Sequence, residues 1–160
     1  MKASLFLVLI CFASLSSTAQ LKGFSLGPYF EAAKPRGDMA EMNKNGLGIG
    51  VAADIKLGKR MAATGSVGYL HFGKKAGTAD KPGAVINAVP IRAGLKYKLP
   101  IIYMKMESGV ARFTNESESP LILSPGIGVR LLGLDVQGSY ETWLGDYGRT
   151  FGVLRIGYHF

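Results

Sequence analysis

Cysteine is almost absent from this chain of 160 residues, which has a single thiol, at Cys11. That thiol lies in the apolar N-terminal run LFLVLICFAS, which we expect to be removed, so neither a disulfide framework nor a cysteine metal site is predicted. Histidine is also scarce, because only His71 and His159 are present and their spacing is not that of metal ligands. The sequence therefore predicts no metal and no cofactor.

The N-terminus has the composition of a secretory signal peptide. Lys2 supplies the positive charge, an apolar stretch of about ten residues follows, and small residues precede Gln20. The stretch is too short to span a bilayer as a helix. We therefore predict a signal peptide over residues 1–19 and an exported domain over residues 20–160.

Beyond that segment the sequence lacks long apolar runs, helical periodicity and clustered basic residues. No apolar run reaches the ~18 residues that a membrane-spanning helix needs. The formal net charge is +8, but the lysines and arginines are scattered through alternating segments. Nucleic-acid binding is therefore not predicted.

Strict alternation of apolar and small or polar residues is what the sequence does contain. In GLGIGVAADIKL (46–57) one parity is entirely apolar: Leu47, Ile49, Val51, Ala53, Ile55 and Leu57. Such alternation indicates a β-strand whose two faces meet different environments.

The same pattern predicts eight strands, at 23–33, 46–57, 61–73, 85–99, 101–112, 121–131, 134–143 and 151–160. Their connections alternate between tight turns and longer polar loops, the latter at 34–45, 74–84, 113–120 and 144–150. An even number of antiparallel strands of about ten residues is the plan of an outer-membrane barrel. We predict an all-β fold, an eight-stranded antiparallel up-and-down transmembrane barrel with a filled lumen.

Alternation alone does not say which face is outside, since a soluble lipocalin-like barrel is apolar inside. Here the polar parity carries many glycines and isolated charges of both signs, which suits the narrow interior of an eight-stranded barrel. Buried charges need partners, so we predict an ion-paired lumen rather than a water-filled channel. The predicted lumen network comprises Glu31, Asp54, Lys56, Arg92, Lys96, Lys105, Glu107, Arg130, Asp135, Glu141 and Arg155.

Aromatic residues near the predicted strand ends suggest two interfacial belts. Tyr97, Tyr158 and Phe160 fall near the tight turns, whereas Tyr69, Phe113, Tyr140 and Trp143 fall near the longer loops. Three prolines depart from ideal strands and predict bulges: Pro28, Pro90 and Pro125.

Five segments are similar to those of a known group of proteins: INAVPIRAGLKYKL (86–99), YMKMESGVARF (103–113), SPGIGVRL (124–131), LDVQGSYETW (134–143) and VLRIGYHF (153–160). Together they resemble the small outer-membrane β-barrel domain of the OmpA/OmpX-like and PorT-like families of Gram-negative bacteria. The resemblance implies that the last strand, with Ile156, Tyr158 and Phe160, is the sorting signal read by the barrel-assembly machinery.

The functional prediction is a non-enzymatic cell-envelope barrel, porin-like in architecture, with a structural, envelope-integrity or surface-interaction role. Lys74 and Lys75 are candidate contacts for lipopolysaccharide, although a solvated loop explains them as well. One alternative is a secreted lipocalin-like barrel that binds an apolar ligand. Another is a lipid-A-modifying enzyme, which would need a serine beside a histidine, and the sequence shows no such pair on a strand.

Overall fold

The computed structural model of the chain describes residues 23–75, 85–114, 119–145 and 148–160. The strands are β1 (Phe24–Arg36), β2 (Asn43–Lys56), β3 (Met61–Lys74), β4 (Ile86–Lys98), β5 (Ile102–Phe113), β6 (Leu121–Leu131), β7 (Leu134–Leu144) and β8 (Arg149–Tyr158). Each pairs antiparallel with its neighbours in sequence, and β8 pairs with β1 to close the barrel. The predicted fold is confirmed. The predicted signal peptide lies outside the described residues and stays a prediction.

A short helix, α1 (Asp38–Met42), connects β1 to β2. Residues 34–45 were predicted to be one long loop, and this was wrong, since β1 continues to Arg36 and β2 begins at Asn43. The side chain of Met39 on α1 is buried against residues of the barrel interior. Within the described residues, no helix is long and apolar enough to cross a membrane.

The connections give the barrel two different ends. At one, which we call the tight-turn end, residues 57–60, 99–101 and 132–133 join consecutive strands. The turn at Leu132 and Gly133 has positive φ at both residues, 52° and 87°, which is the two-residue hairpin geometry that matches strand twist. The other, the long-loop end, carries α1 and residues 75–85, 114–120 and 145–148.

The apolar parity of the strands faces outward. Leu47, Ile49, Val51 and Ile55 are 55%, 63%, 44% and 53% exposed on the outside of β2. The glycines between them face a crowded interior, where a Cβ on Gly50 would collide with the Tyr29 ring. This orientation confirms the membrane type of barrel and excludes the soluble lipocalin-like alternative, whose apolar face is internal.

The three prolines do not mark bulges, so that prediction was wrong. Pro28 pairs in register with β2, and Pro90 and Pro125 each pair in register with β5. On the other side of Pro90 and Pro125 two pairs are missing from the ladder, and pairing then resumes in the same register. A proline lacks one donor, so it interrupts the ladder with one neighbour and leaves the other intact. The register shift that β2 does show lies between Asn43 and Gly46.

Candidate functional site

The middle of the lumen holds a compact group of buried charges, the mid-barrel cluster: Glu31, Arg92, Lys105, Glu107, Glu141 and Arg155. Arg92 binds Glu141 through two parallel hydrogen bonds, from Nε to Oε2 and from Nη2 to Oε1, both 2.9 Å long. Arg155 donates to Glu31 at 2.9 Å, and Lys105 lies 3.0 Å from Glu107. Bidentate arginine–carboxylate pairs combine geometric specificity with strong hydrogen bonding.

A second group, the tight-turn cluster, lies nearer the tight-turn end and comprises Asp54, Lys96, Tyr103, Arg130 and Asp135. Lys96 Nζ is 2.8 Å from Asp54 Oδ2, and Arg130 Nη1 is 2.7 Å from the same oxygen. Arg130 Nε also donates to Asp135 Oδ2 at 2.7 Å, and the Tyr103 hydroxyl donates to Asp135. Each carboxylate therefore has a cation within ion-pair distance, as burial requires.

Charges in the two clusters match in number. The mid-barrel cluster has three cations and three carboxylates, and the tight-turn cluster has two of each. The structure thus brings together ten of the eleven residues expected in the lumen network. Lys56 was placed there wrongly, because it is exposed at the last position of β2, where the strand leaves the barrel wall.

Toward the long-loop end the lumen is apolar instead of charged. This region, the apolar plug, consists of Ala33, Met39, Leu70, Phe72, Ile86, Ala88, Ala111, Ile122, Trp143, Phe151 and Val153. Its rings pack edge to face, with centroids 5.2 Å apart for Phe72 and Phe151 and 5.1 Å apart for Trp143 and Phe151. Trp143 Nε1 donates to Glu141 Oε1 at 2.6 Å, so the plug rests directly on the mid-barrel cluster.

The plug and the clusters leave little open space along the axis. A void of about 10 Å³ bordered by Tyr29, Lys96 and Gln137 lies among the charged residues, at the lower limit for one water molecule. On the long-loop side of this void, the lumen is occupied by the fully buried side chains of Leu70, Phe72 and Phe151. Within the described residues, side chains therefore fill the lumen.

Sequence reasoning missed the apolar plug and assigned one of its residues, and one that packs against it, to the aromatic belts. Trp143 was predicted in the outer aromatic belt, but it is 1% exposed and faces the lumen. Phe113 is half-buried and packs against the plug. Trp143 has the same strand parity as Glu141, so alternation was the signal that places it inside. The other five belt aromatics are exposed on the outer wall: Tyr69, Tyr97, Tyr140, Tyr158 and Phe160.

The residues of the predicted sorting signal line the outer wall at the tight-turn end. Ile156, Tyr158 and Phe160 are all exposed, and the rings of Tyr158 and Phe160 meet edge to face with centroids 5.1 Å apart. The Phe160 backbone N–H donates to the Leu26 carbonyl at 2.9 Å, which ties the C-terminus to β1.

The two histidines occupy different environments. His71 is on the outer wall, where its Nδ1 lies 2.6 Å from Asn87 Oδ1, and the Tyr69 hydroxyl donates to that same oxygen. His159 follows β8, and burial together with the nearby Arg130 cation lowers its pKa to about 4. In the part of the chain that the structure describes, no group of three or more His, Cys, Asp or Glu residues is placed to hold a metal.

The two lysines predicted to contact lipopolysaccharide separate at the long-loop end. Lys74 is the last residue of β3 and pairs with Asn43. Lys75 donates from Nζ to the Ala40 carbonyl at 3.1 Å and lines a cleft beside α1. The rest of the loop that follows them, residues 76–84, lies outside the described residues.

Comparison with solved structures finds membrane barrels. A de novo designed transmembrane β-barrel is 14% identical with a TM-score of 0.56, over 86% of this chain and 96% of that chain. The outer membrane protein Ail of Yersinia pestis, in a phospholipid bilayer nanodisc, is 19% identical with a TM-score of 0.56, over 86% and 99%. The crystal structure of Ail, the attachment invasion locus protein, is 16% identical with a TM-score of 0.54, over 86% and 97%.

These similarities show the fold of a small transmembrane β-barrel. The chain matches no protein-family model and no curated protein. Membership of the OmpA/OmpX-like or PorT-like families therefore stays a prediction.

Proposed function

We propose that this chain is a non-enzymatic outer-membrane protein with a closed lumen, which has a structural role in the cell envelope and interacts at the cell surface through its long-loop end. One observation carries the proposal: the wall is apolar outside, while the lumen is filled by the charge-matched clusters and the apolar plug. A barrel with this orientation presents its apolar wall to lipid, and its filled lumen offers no path for solutes.

The orientation follows from the ends of the barrel. Outer-membrane barrels place short turns in the periplasm and longer loops outside. The tight-turn end, with the C-terminal residues, is therefore periplasmic in this proposal, where the barrel-assembly machinery would read Ile156, Tyr158 and Phe160. The long-loop end faces the surface, next to lipopolysaccharide.

Cell fractionation and electrophoresis test the membrane assignment. The protein should remain with outer membranes after a carbonate wash and should change its mobility when it is boiled in SDS, because a closed barrel resists the detergent until heated. Recovery in the soluble periplasm would refute the assignment.

Planar-bilayer recording tests the closed lumen. The purified barrel should show no stable conductance, and a variant with Phe72→Ala and Phe151→Ala should not conduct either, because it opens only the outer half of the lumen and the two charged clusters still close the rest. Steady channels from the unaltered protein would contradict a filled interior. An unchanged lipid A profile after gene deletion is the expected result for a protein without lipid-modifying activity.

A further inference from the structure

An apolar groove runs along the outer wall across β6, β7, β8, β1 and β2. It has a volume of about 840 Å³. It is lined by the bulky side chains of Leu47, Ile127, Tyr140 and Leu154 and by small residues between and beside them.

Small outward-facing residues create the groove. Ala32, Gly138 and Gly152 lie on adjacent strands, since Ala32 pairs with Leu154, and Leu154 pairs with Gly138. A Cβ added to Gly138 or Gly152 would meet no atom within 4 Å. Neither glycine is therefore required by close packing of the barrel, and the space above them is open on the lipid-facing side.

At the end nearer the long loops, the groove leads into a basic cleft. This cleft has a volume of about 540 Å³ and is lined by three lysines, Lys34, Lys44 and Lys75. Lys34 and Asn45 line both the groove and the cleft, so the two are continuous. The acidic residues of α1, Asp38 and Glu41, are not among the residues that line the cleft.

We propose that the groove and the cleft together bind a lipid of the outer leaflet with phosphate in its headgroup, namely the lipid A part of lipopolysaccharide. The groove takes an acyl chain, and the three lysines bind a phosphate. This proposal rests on the proposed outer-membrane location, which puts the cleft at the level of lipid headgroups. It assigns the lipid contact to Lys34, Lys44 and Lys75 in place of the pair Lys74 and Lys75.

The arrangement of the groove and the cleft favours a lipid over a second copy of the chain as the ligand. The apolar groove lies toward the middle of the membrane and the cationic cleft toward the long-loop end, which matches the acyl chains and the headgroup of an anionic lipid. In a symmetric dimer across this face, each copy would bring Lys34, Lys44 and Lys75 toward the same lysines of the other, and like charges repel.

Native mass spectrometry of the purified, folded barrel tests the proposal. The probes are hexa-acylated lipid A with both phosphates and the same lipid with its phosphates removed. Wild-type barrel should retain phosphorylated lipid A. A variant with Lys34→Gln, Lys44→Gln and Lys75→Gln should bind it on the order of 100-fold more weakly, since each lysine near an anionic membrane surface contributes about fivefold.

A second variant fills the groove and leaves the lysines intact. Gly152→Leu, alone or with Gly138→Leu, should lower retention of both lipid probes about tenfold or more, because a side chain replaces the acyl chain. Gly65→Leu is the matched control, because this glycine also faces outward but lies away from the groove, with its nearest contact to an added Cβ at 3.7 Å. For the lysines, the control is Lys56→Gln, Lys59→Gln and Lys98→Gln at the tight-turn end.

Heat-dependent mobility in SDS confirms that each variant is folded, and the single Gly152→Leu exchange serves if the double variant does not fold. Equal retention of the phosphorylated and dephosphorylated lipids, or no loss in the Gly152→Leu barrel, would overturn the proposal. So would a wild-type dimer that Gly152→Leu dissociates, which would make the groove a subunit interface. None of these results bears on cell fractionation, so the proposed location is tested separately.

Discussion

Replacing Arg92 by methionine should destabilise the barrel strongly. Arg92 is 2% exposed, binds Glu141 through two hydrogen bonds of 2.9 Å, and lies 3.6 Å from Glu31. Methionine keeps most of the volume and removes the charge. Glu31 keeps Arg155, but among the described residues Glu141 keeps only the indole N–H of Trp143.

Removal of one partner from a buried ion pair costs about 3–5 kcal/mol, because the other charge stays buried without compensation. We expect Arg92→Met to fall in this range. Adding Glu141→Gln removes the stranded charge and keeps an acceptor for Trp143, so the double variant should recover half or more of the lost stability. Arg112→Met is the control, since this arginine is exposed on the outer wall of β5, and it should cost less than about 0.5 kcal/mol.

Urea titration of the barrel in phospholipid vesicles measures the free energy of unfolding. Trp143 is the only tryptophan and is buried in the apolar plug, so its fluorescence reports on the lumen. A loss below about 1 kcal/mol for Arg92→Met would refute the reasoning. A double variant less stable than the single one would refute it too.

Three further predictions concern other parts of the barrel. Deleting Phe160 should reduce assembled barrel but not export across the inner membrane, whereas Phe30→Ala, an exposed ring at mid-barrel, should leave assembly unchanged; normal assembly without Phe160 would argue against a sorting signal. Gly109→Val should prevent folding, because its Cβ would collide with the backbone of β4, whereas Gly138→Val should be tolerated; a heat-modifiable Gly109→Val barrel would contradict this. Because the pKa of His159 is about 4 in the fold and about 6.5 when unfolded, the unfolded chain takes up the proton first, and stability should fall between pH 6.5 and 4 by on the order of 1 kcal/mol. His159→Gln should reduce this loss in urea titrations, and parallel pH profiles for the two proteins would count against it.

Alternation was sufficient to predict the strands, and the difference in side-chain size between the two parities predicted their orientation. On β2, Leu47, Ile49 and Val51 share one parity with glycine between them, and only a narrow interior accounts for that contrast in size. Strand ends were less predictable. The prediction ended β1 at 33, whereas the strand runs to Arg36, because its last three residues pair with β8.

The apolar plug was harder to predict because it breaks the rule that one parity is polar. Leu70 and Phe72 alternate with outward Tyr69 and His71, so hydropathy there shows no clean period of two. To predict such positions one must know the register between strands, because the register decides which side chains lie next to each inward-facing residue. The continuity of the lipid groove likewise depends on which strands are neighbours, and Gly138 and Gly152 carry no signal of their own.

The seam between β1 and β8 joins the two ends of the chain. Every other ladder connects strands that follow each other directly, so closure is the step with the greatest loop entropy. At this seam Glu31 and Arg155 are register partners as well as an ion pair. If the register slipped by one residue, one of these charged side chains would face the hydrocarbon of the membrane. If it slipped by two residues, both side chains would face the lumen but would no longer be opposite each other. The ion pair therefore favours a single register between the first and last strands when the barrel closes.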